Sequence, residues 1–198
     1  MTARSVVGLL LAAGAGRRLG GPKALVKDSS GRTWLAGSVA ALRDGDVDDV
    51  YLVVGASADA VRSAAPVGCQ VVEAADWHEG MGASLRAGLD AVSAERPDAD
   101  AVLVMLVDTP GVGAEVVRRL GALASPAALA RAAYDSEPGH PVLIGREHWA
   151  DVATSARGDR GARDYLRSHD AALVECGDVG SGTDVDTPAV LVNWRDRP

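Results

Sequence analysis

Apolar positions along the chain follow two alternating rhythms. Residues 6–11 are an unbroken aliphatic run, the pattern of a parallel strand buried on both faces. Similar runs recur at 50–54, 70–73 and 101–107. Between them the spacing is helical. Residues 33–42 place Leu35, Val39 and Leu42 on one stripe, and 57–64 open at Ser57, a favoured N-cap residue. Residues 81–94 align Leu85, Leu89 and Val92, and 112–123 align Val116, Leu120 and Leu123. Strand and helix alternating in this way predict βαβ units, hence a right-handed, mostly parallel sheet covered by helices.

After about residue 125 the rhythm changes. Segments 129–134 and 141–144 read as strands joined by a Gly/Pro-rich turn, an antiparallel insertion. A helix follows over 159–167, a strand over 171–176 and a terminal helix over 188–194. No repeat, low-complexity tract or linker divides the chain. Residues 1–198 are therefore expected to form a single three-layer α/β/α domain with a Rossmann-like, mostly parallel sheet and a small antiparallel insertion.

Composition removes several function classes. The chain is 47% hydrophobic and 24% charged, with a formal net charge of -7, which argues against a nucleic-acid partner. Apolar runs reach only about six or seven residues, far short of the roughly twenty that cross a bilayer, so no membrane partner is expected. The early apolar run is too short for a signal peptide, and two cysteines, Cys69 and Cys176, make no disulfide framework. A cytoplasmic setting is the expectation. The distribution of charge is more informative than its sum. Residues 1–43 carry Arg4, Arg17, Arg18, Lys23, Lys27, Arg32 and Arg43 against the single acid Asp28. A local positive field in an acidic protein suits a small anionic ligand in a cleft, though a solvated basic face would read the same way.

Glycines in that segment favour the ligand. Directly after the first strand come Leu11, Ala12, Ala13, Gly14, Gly16, Arg17, Arg18, Gly20, Gly21, Pro22 and Lys23. Glycine lets backbone N–H groups approach phosphate closely; arginine adds a fork and lysine a point charge. A dinucleotide fingerprint fits poorly, because the second strand ends Val53-Val54-Gly55-Ala56 without the acid that would bind ribose. A triphosphate loop fits best. Asp108-Thr109-Pro110 ends the most apolar strand and could hold a divalent ion, or simply cap a turn. Asp184 and Asp186, two residues apart on an extended stretch, could face one site, although Asp186-Thr187-Pro188 is also an ordinary helix start.

The segment Leu11-Ala-Ala-Gly-x-Gly-x-Arg-x-Gly-x-Pro-Lys23 resembles the signature loop of the MobA-like nucleotidyltransferases of molybdenum cofactor synthesis, and among them it is most similar to the cytidylyltransferases. The resemblance extends in motif order from about Val6 to Val190. It implies a transferase that moves CMP from CTP onto a phosphorylated pterin acceptor with release of pyrophosphate. Leu11, Ala12, Ala13, Gly14 and Gly16 would wrap the nucleotide, and Arg18 and Lys23 would hold its phosphates. It implies Mg²⁺, with Mn²⁺ as a substitute, bound by Asp108 and by Asp184 or Asp186; Asp184 is the favoured ligand and Asp186 the cap or an acid behind the ligand. Thr109 departs from the methionine or glutamine usual at this place in the family.

Three further stretches fit the resemblance. Gly80, Gly82 and Ser84 match a stretch near base and ribose, where Ser84 could also cap the helix. Trp77 and Met81, in the same stretch, read equally well as core. His140, in Gly139-His140-Pro141, and Asp159 and Arg163, in Gly158–Arg163, match segments on the acceptor side. There Asp159 would be an N-cap, and Arg160, Arg163 and Arg167 would share one helical face. His140 has little work as a base, since a phosphate acceptor is already ionised. The alternatives are GTP or a different phosphorylated acceptor on the same scaffold, or a non-catalytic carrier that delivers finished cofactor to a molybdoenzyme, the one transient protein partner implied.

Overall fold

A computed structural model describes residues 4–187. The first aliphatic run forms β1 (Val6–Leu11), every side chain of it buried. It is followed by α1 (Trp34–Asp44), β2 (Asp49–Val54), α2 (Ala58–Ser63), β3 (Cys69–Glu73), α3 (Met81–Glu95), β4 (Ala101–Leu106) and α4 (Ala114–Gly121). Then come β5 (Leu129–Tyr134), β6 (Glu137–Gly145), α5 (Trp149–Ser155), α6 (Arg163–Ser168) and β7 (Ala172–Glu175). Thr33 starts α1, its hydroxyl accepting from the Ala36 N–H at 3.2 Å. Ser57 precedes α2 without making such a bond.

The seven strands lie in the order β3-β2-β1-β4-β6-β5-β7. β1 runs parallel to β2 and β4, β2 to β3, and β5 to β7, while β6 is antiparallel to both β4 and β5. Alternation along the strands sends residues to two cores. Leu10, Leu52, Leu103 and Met105 pack with Leu35 and Leu42 of α1 and Val116 and Leu120 of α4. Leu9, Val53 and Val104 pack on the other face with Leu85 and Leu89 of α3, Trp149 of α5 and Leu166 of α6. This is the expected three-layer, mostly parallel arrangement. Among the described residues no helix is long and apolar enough to cross a membrane.

The differences from the expected elements have local causes. The loop between the antiparallel strands shrinks to Asp135 and Ser136, both at positive φ (53° and 68°), so β6 begins at Glu137 rather than at residue 141. β6 also lies inside the sheet, between β4 and β5, and is not an appendage. The helix expected over 159–167 is interrupted at Gly161, whose φ of 51° and ψ of -124° have no place in a helix, and α6 starts only at Arg163. Helix α5 had no clear apolar stripe to announce it; Trp149 anchors it by donating from Nε1 to the Ile144 carbonyl at 2.9 Å. The helix expected over 188–194 lies outside the described residues.

Candidate active site

β2 and β3 extend from one side of β1 and β4 from the other, so the strand order reverses between β1 and β4. In open α/β sheets that crevice, outside the carboxyl ends of the strands, is where ligands bind. Leu11 and Leu106 are partners across it, and both chain segments leave the sheet there.

Beyond β1 the chain stays close to the sheet. Ala12 donates to the Val53 carbonyl at 2.9 Å and Ala13 accepts from the Ala56 N–H at 3.0 Å. Gly16 then turns the loop with φ 59°, its carbonyl accepting from the N–H groups of Leu19 and Gly21. A Cβ at Gly16 would lie 1.8 Å from the Gly21 carbonyl oxygen, so only glycine closes this turn. Gly14 has open space around it and is free to face a ligand. Arg17 and Arg18 sit on the single 3-10 turn that follows.

Lys23 lies in a second short turn. Its ammonium donates to Asp108 Oδ2 at 2.6 Å and also to Asp186 Oδ1. Asp108 follows β4, whereas Asp186 arrives on the segment 181–187. That segment is tied down by bonds from Ser181 N–H to the Gly111 carbonyl and from Val185 N–H to the Asp108 carbonyl, each 3.0 Å, with Val185 fully buried. Burial alone would lower the Lys23 pKa, but Asp108 and Asp186 outweigh it and hold the ammonium charged above its ordinary value. Asp184 is pushed up to about 6 by partial burial, then by the negative charges of Asp108 and Asp186. The charges of Asp108 and Asp186 thus reach Asp184, and the pair that meets Lys23 is Asp108 with Asp186. Of the two acids, Asp186 and not Asp184, which the sequence favours as the metal ligand, lines the cleft, the intervening Val185 being anchored to the Asp108 carbonyl. Among the described residues no three His, Cys, Asp or Glu groups stand close enough to hold a metal alone.

The cleft has a volume of about 570 Å³, within the usual range for small-molecule sites. Leu11, Ala12, Ala13, Gly14, Gly16, Arg18 and Lys23 form one wall, joined by Arg17. Gly80, Ser84, Asp159, Asp108 and Asp186 line it as well. Ser84 is not a cap: α3 starts after Gly80, and Ser84 is buried one turn into the helix. Asp159 is not an N-cap either, because it precedes the break at Gly161. Gly82 turns away from the cleft and packs α3 against the backbone of Ala156 and Arg157. Arg160 lies before the Gly161 break and outside α6, so the expected three-arginine helical face is not formed, and Arg160 and Arg167 each pair with Asp164 at 3.0 Å.

His140 and Arg163 line a smaller hollow that shares Leu11, Met81 and Asp159 with the cleft. Beside them is Arg131, which sequence reasoning missed; its signal is one arginine in the small-residue strand Leu-Ala-Arg-Ala-Ala-Tyr. Trp77, His78 and Met81 also line the cleft, so the Gly80 stretch has a cleft-facing as well as a packing side.

The His140 pKa is pushed down to about 4 by burial, and further by Arg131 and Arg163. The unfolded chain takes up this proton near the ordinary value of about 6.5. Between the two values the unfolded state binds more protons, so His140 makes stability fall as pH drops. The variant His140→Gln is expected to lose about 1–2 kcal/mol less than the parent between about pH 7 and 4.5, measured by urea unfolding. Equal losses would mean the imidazole titrates as in water. Asp184, with its raised value, acts in the opposite sense, so the comparison between the two proteins is diagnostic and the profile of either alone is not.

Residues 8–173 match the MobA-like NTP transferase domain family. The chain is 39% identical over 193 residues to a nicotine blue oxidoreductase of Paenarthrobacter nicotinovorans, covering 92% of each. It is 35% identical to a molybdenum cofactor guanylyltransferase of a Bradyrhizobium strain, over 72% of this chain and 66% of that one. The crystal structure of the Rv0371c protein of Mycobacterium tuberculosis superposes with a TM-score of 0.80 at 29% identity, covering 99% of this chain and 100% of that one. A structure of the same protein in complex with manganese gives a TM-score of 0.76 at 26% identity, covering 98% and 100%.

Proposed function

The chain belongs to the MobA-like NTP transferase family and is a nucleotidyltransferase, and we propose that it transfers CMP from CTP to a phosphorylated acceptor, the pterin of molybdenum cofactor. The observation that carries this reading is the meeting of Lys23, Asp108 and Asp186 at the foot of the glycine loop. A cationic loop with a carboxylate pair beside it is suited to a nucleoside triphosphate and a divalent ion.

The residues fit such an ion. Asp108 and Asp186 are hard oxygen donors already sharing one cationic group, and Mg²⁺ is commonly held by one or two carboxylates with substrate phosphates completing the shell. Mn²⁺ accepts the same donors, and the manganese-bound relative supports that substitution. When bound, the ion would neutralise charge on the nucleotide phosphates.

The chain's own residues do the positioning. Loop N–H groups with Arg17 or Arg18 bind the β- and γ-phosphates, and Lys23 moves from the carboxylates to the triphosphate. An oxygen of the acceptor phosphate forms a bond to the α-phosphorus as the α–β bridging bond breaks, and pyrophosphate leaves with the electron pair. A dianionic acceptor gives up no proton, so no general base is required. Positioning and charge neutralisation supply the rate. Ala12 and Ala13 line the cleft together with Trp77, and the motif resemblance at Ala12-Ala13 supports the pyrimidine over GTP. The reading includes one catalytic domain over residues 1–198, a cytoplasmic setting and delivery of product to a molybdoenzyme.

The oxidoreductase relative supports a second reading, redox chemistry in the same cleft. One panel separates them: CTP, GTP, ATP and UTP, each with Mg²⁺ or Mn²⁺, alongside NADH and NADPH, scored by calorimetric binding and, with a pterin phosphate acceptor, by pyrophosphate release. CTP-dependent release is the expected result. Preference for guanine overturns the cytidylyl assignment. Binding without turnover supports a carrier, and nicotinamide binding in place of nucleotides supports the redox reading.

A further inference from the structure

The segment that delivers Asp186 has no regular secondary structure of its own. After β7 the N–H of Cys176 donates to the Ala133 carbonyl at 2.8 Å, and residues 177–187 continue as turn and irregular backbone. The root of the segment is tied to the β5–β6 turn by Glu175, whose carboxylate accepts from the N–H groups of Asp135, Ser136 and Gly177 at 3.2, 3.0 and 2.9 Å. Further along it is tied by the bonds from Ser181 and Val185 to the Gly111 and Asp108 carbonyls. Between those two bonds lie Gly182, Thr183 and Asp184, and glycine is the residue that loses most freedom when a chain is ordered. This middle section must be held if Asp186 is to stand in one place.

Tyr134, at the end of β5, is placed to hold it. A Cβ on Gly182 would overlap Tyr134 Cε2 and Cδ2, so the backbone rests directly on that edge of the ring. Gly139 of β6 meets the same edge from the hairpin, a Cβ there lying 2.9 Å from both atoms. The Tyr134 hydroxyl donates to the His140 carbonyl at 2.8 Å, which fixes the ring's direction. Burial first, and then Cys176 and Glu175, push the phenol pKa up, so it remains a donor. The ring also belongs to the apolar cluster that takes in Val179 and Val185, on either side of Gly182. Gly182 has no positive φ, so its missing side chain serves this close approach and not a turn.

We propose that Tyr134 is a positioning residue for the transfer: its ring is the bed on which the backbone at Gly182 lies, and through that backbone it sets Asp186 beside Asp108 and Lys23. This assignment rests on the reading in which the two acids serve a metal-dependent nucleotidyl transfer, and adds to it the part of the fold that decides whether the second acid is in place. Tyr134 does not line the cleft, so it acts through the main chain and touches no substrate. Without the ring the segment spends less time in the competent position, and apparent metal affinity falls by that fraction. Saturating metal draws the segment back, so the full rate survives where the affinity does not.

The test uses the full chain and two readouts: the Mg²⁺ dependence of pyrophosphate release with CTP and a pterin phosphate acceptor, and amide hydrogen exchange at Val185 without nucleotide or metal. In Tyr134→Ala the Mg²⁺ concentration for half-maximal rate is expected to rise about tenfold or more, the scale on which supporting residues act on metal sites. The rate at saturating Mg²⁺ should stay within a few-fold of the parent, and Val185 should exchange faster. Tyr134→Phe, which keeps the ring, is expected to match the parent in both readouts. Val152→Ala, a cavity in the opposite core, controls for lost stability and should leave the Mg²⁺ requirement unshifted. Gly182→Ala pushes against the ring and should also raise the requirement, but adding it to Tyr134→Ala should cost little more, since the ring it strikes is gone. If Tyr134→Ala does not fold, Gly182→Ala alone decides. An unshifted Mg²⁺ requirement in the deciding variant, additive effects of the two substitutions, or faster exchange without a shift in requirement overturns the assignment. A parent that releases no pyrophosphate from any nucleotide, while Val185 exchange still depends on the ring, would instead overturn the proposed reaction and leave the hold on the segment standing.

Discussion

Lys23→Ala is expected to slow pyrophosphate release at saturating nucleotide by about 10²–10³-fold, the loss typical of removing one fixed positive or hydrogen-bonding group aimed at developing charge. The ammonium stands where the glycine loop and the carboxylates meet, so its removal affects both sides of the site. On the phosphate side it takes away a point charge that loop N–H groups cannot replace. On the carboxylate side it leaves Asp108 and Asp186 facing each other without their cation. The melting temperature is accordingly expected to fall by about 5 °C or less, and Mg²⁺ should restore more of it in the variant than in the parent. Lys23→Arg keeps the charge but not the compact head, and should recover only part of the rate. Single-turnover release from Lys23→Ala within a few-fold of the parent would remove Lys23 from the mechanism.

Gly16→Ala is expected to be the most damaging single methyl in the loop. Its Cβ would lie 1.8 Å from the Gly21 carbonyl oxygen, with φ at 59°, so the turn must open. A non-glycine residue held in such backbone costs about 1–3 kcal/mol, which here falls on a loop outside the two cores. The far-UV spectrum should therefore be unchanged, while affinity for CTP with Mg²⁺ drops at least about tenfold, on the scale of the same 1–3 kcal/mol. Calorimetry showing parent-like affinity would mean that the loop does not need this turn to hold phosphate.

The sequence is most readable where one physical constraint dominates. Strands buried on both faces must be aliphatic throughout, so β1 and β4 stand out, and with them the two loops that follow, carrying Lys23 and Asp108. Readability fails where the outcome depends on a backbone turn or on distant packing. Asp135 and Ser136 accept positive φ without any glycine to announce it, which hides the early start of β6. Gly161 could as well have been tolerated inside a helix, and the structure shows that it ends one possibility and delays α6 to Arg163. Asp184 and Asp186 are equivalent by spacing; burial of Val185 against the Asp108 loop distinguishes them, and that is a tertiary fact. Arg131 is not legible in the sequence because a lone arginine on a strand ordinarily faces water, and its place beside His140 and Arg163 exists only in three dimensions.

The stretch 181–186 gives the molecule a built-in order of completion. Lys23 and Asp186 are separated by 163 positions, so a growing polypeptide can pair its first strands and form the glycine loop before the second acid is available. Until that segment is threaded past Gly111, an immature copy would lack half of its carboxylate pair and, on the proposed reaction, would spend no triphosphate. A single protease cut in this strap would silence an otherwise intact fold in the same way.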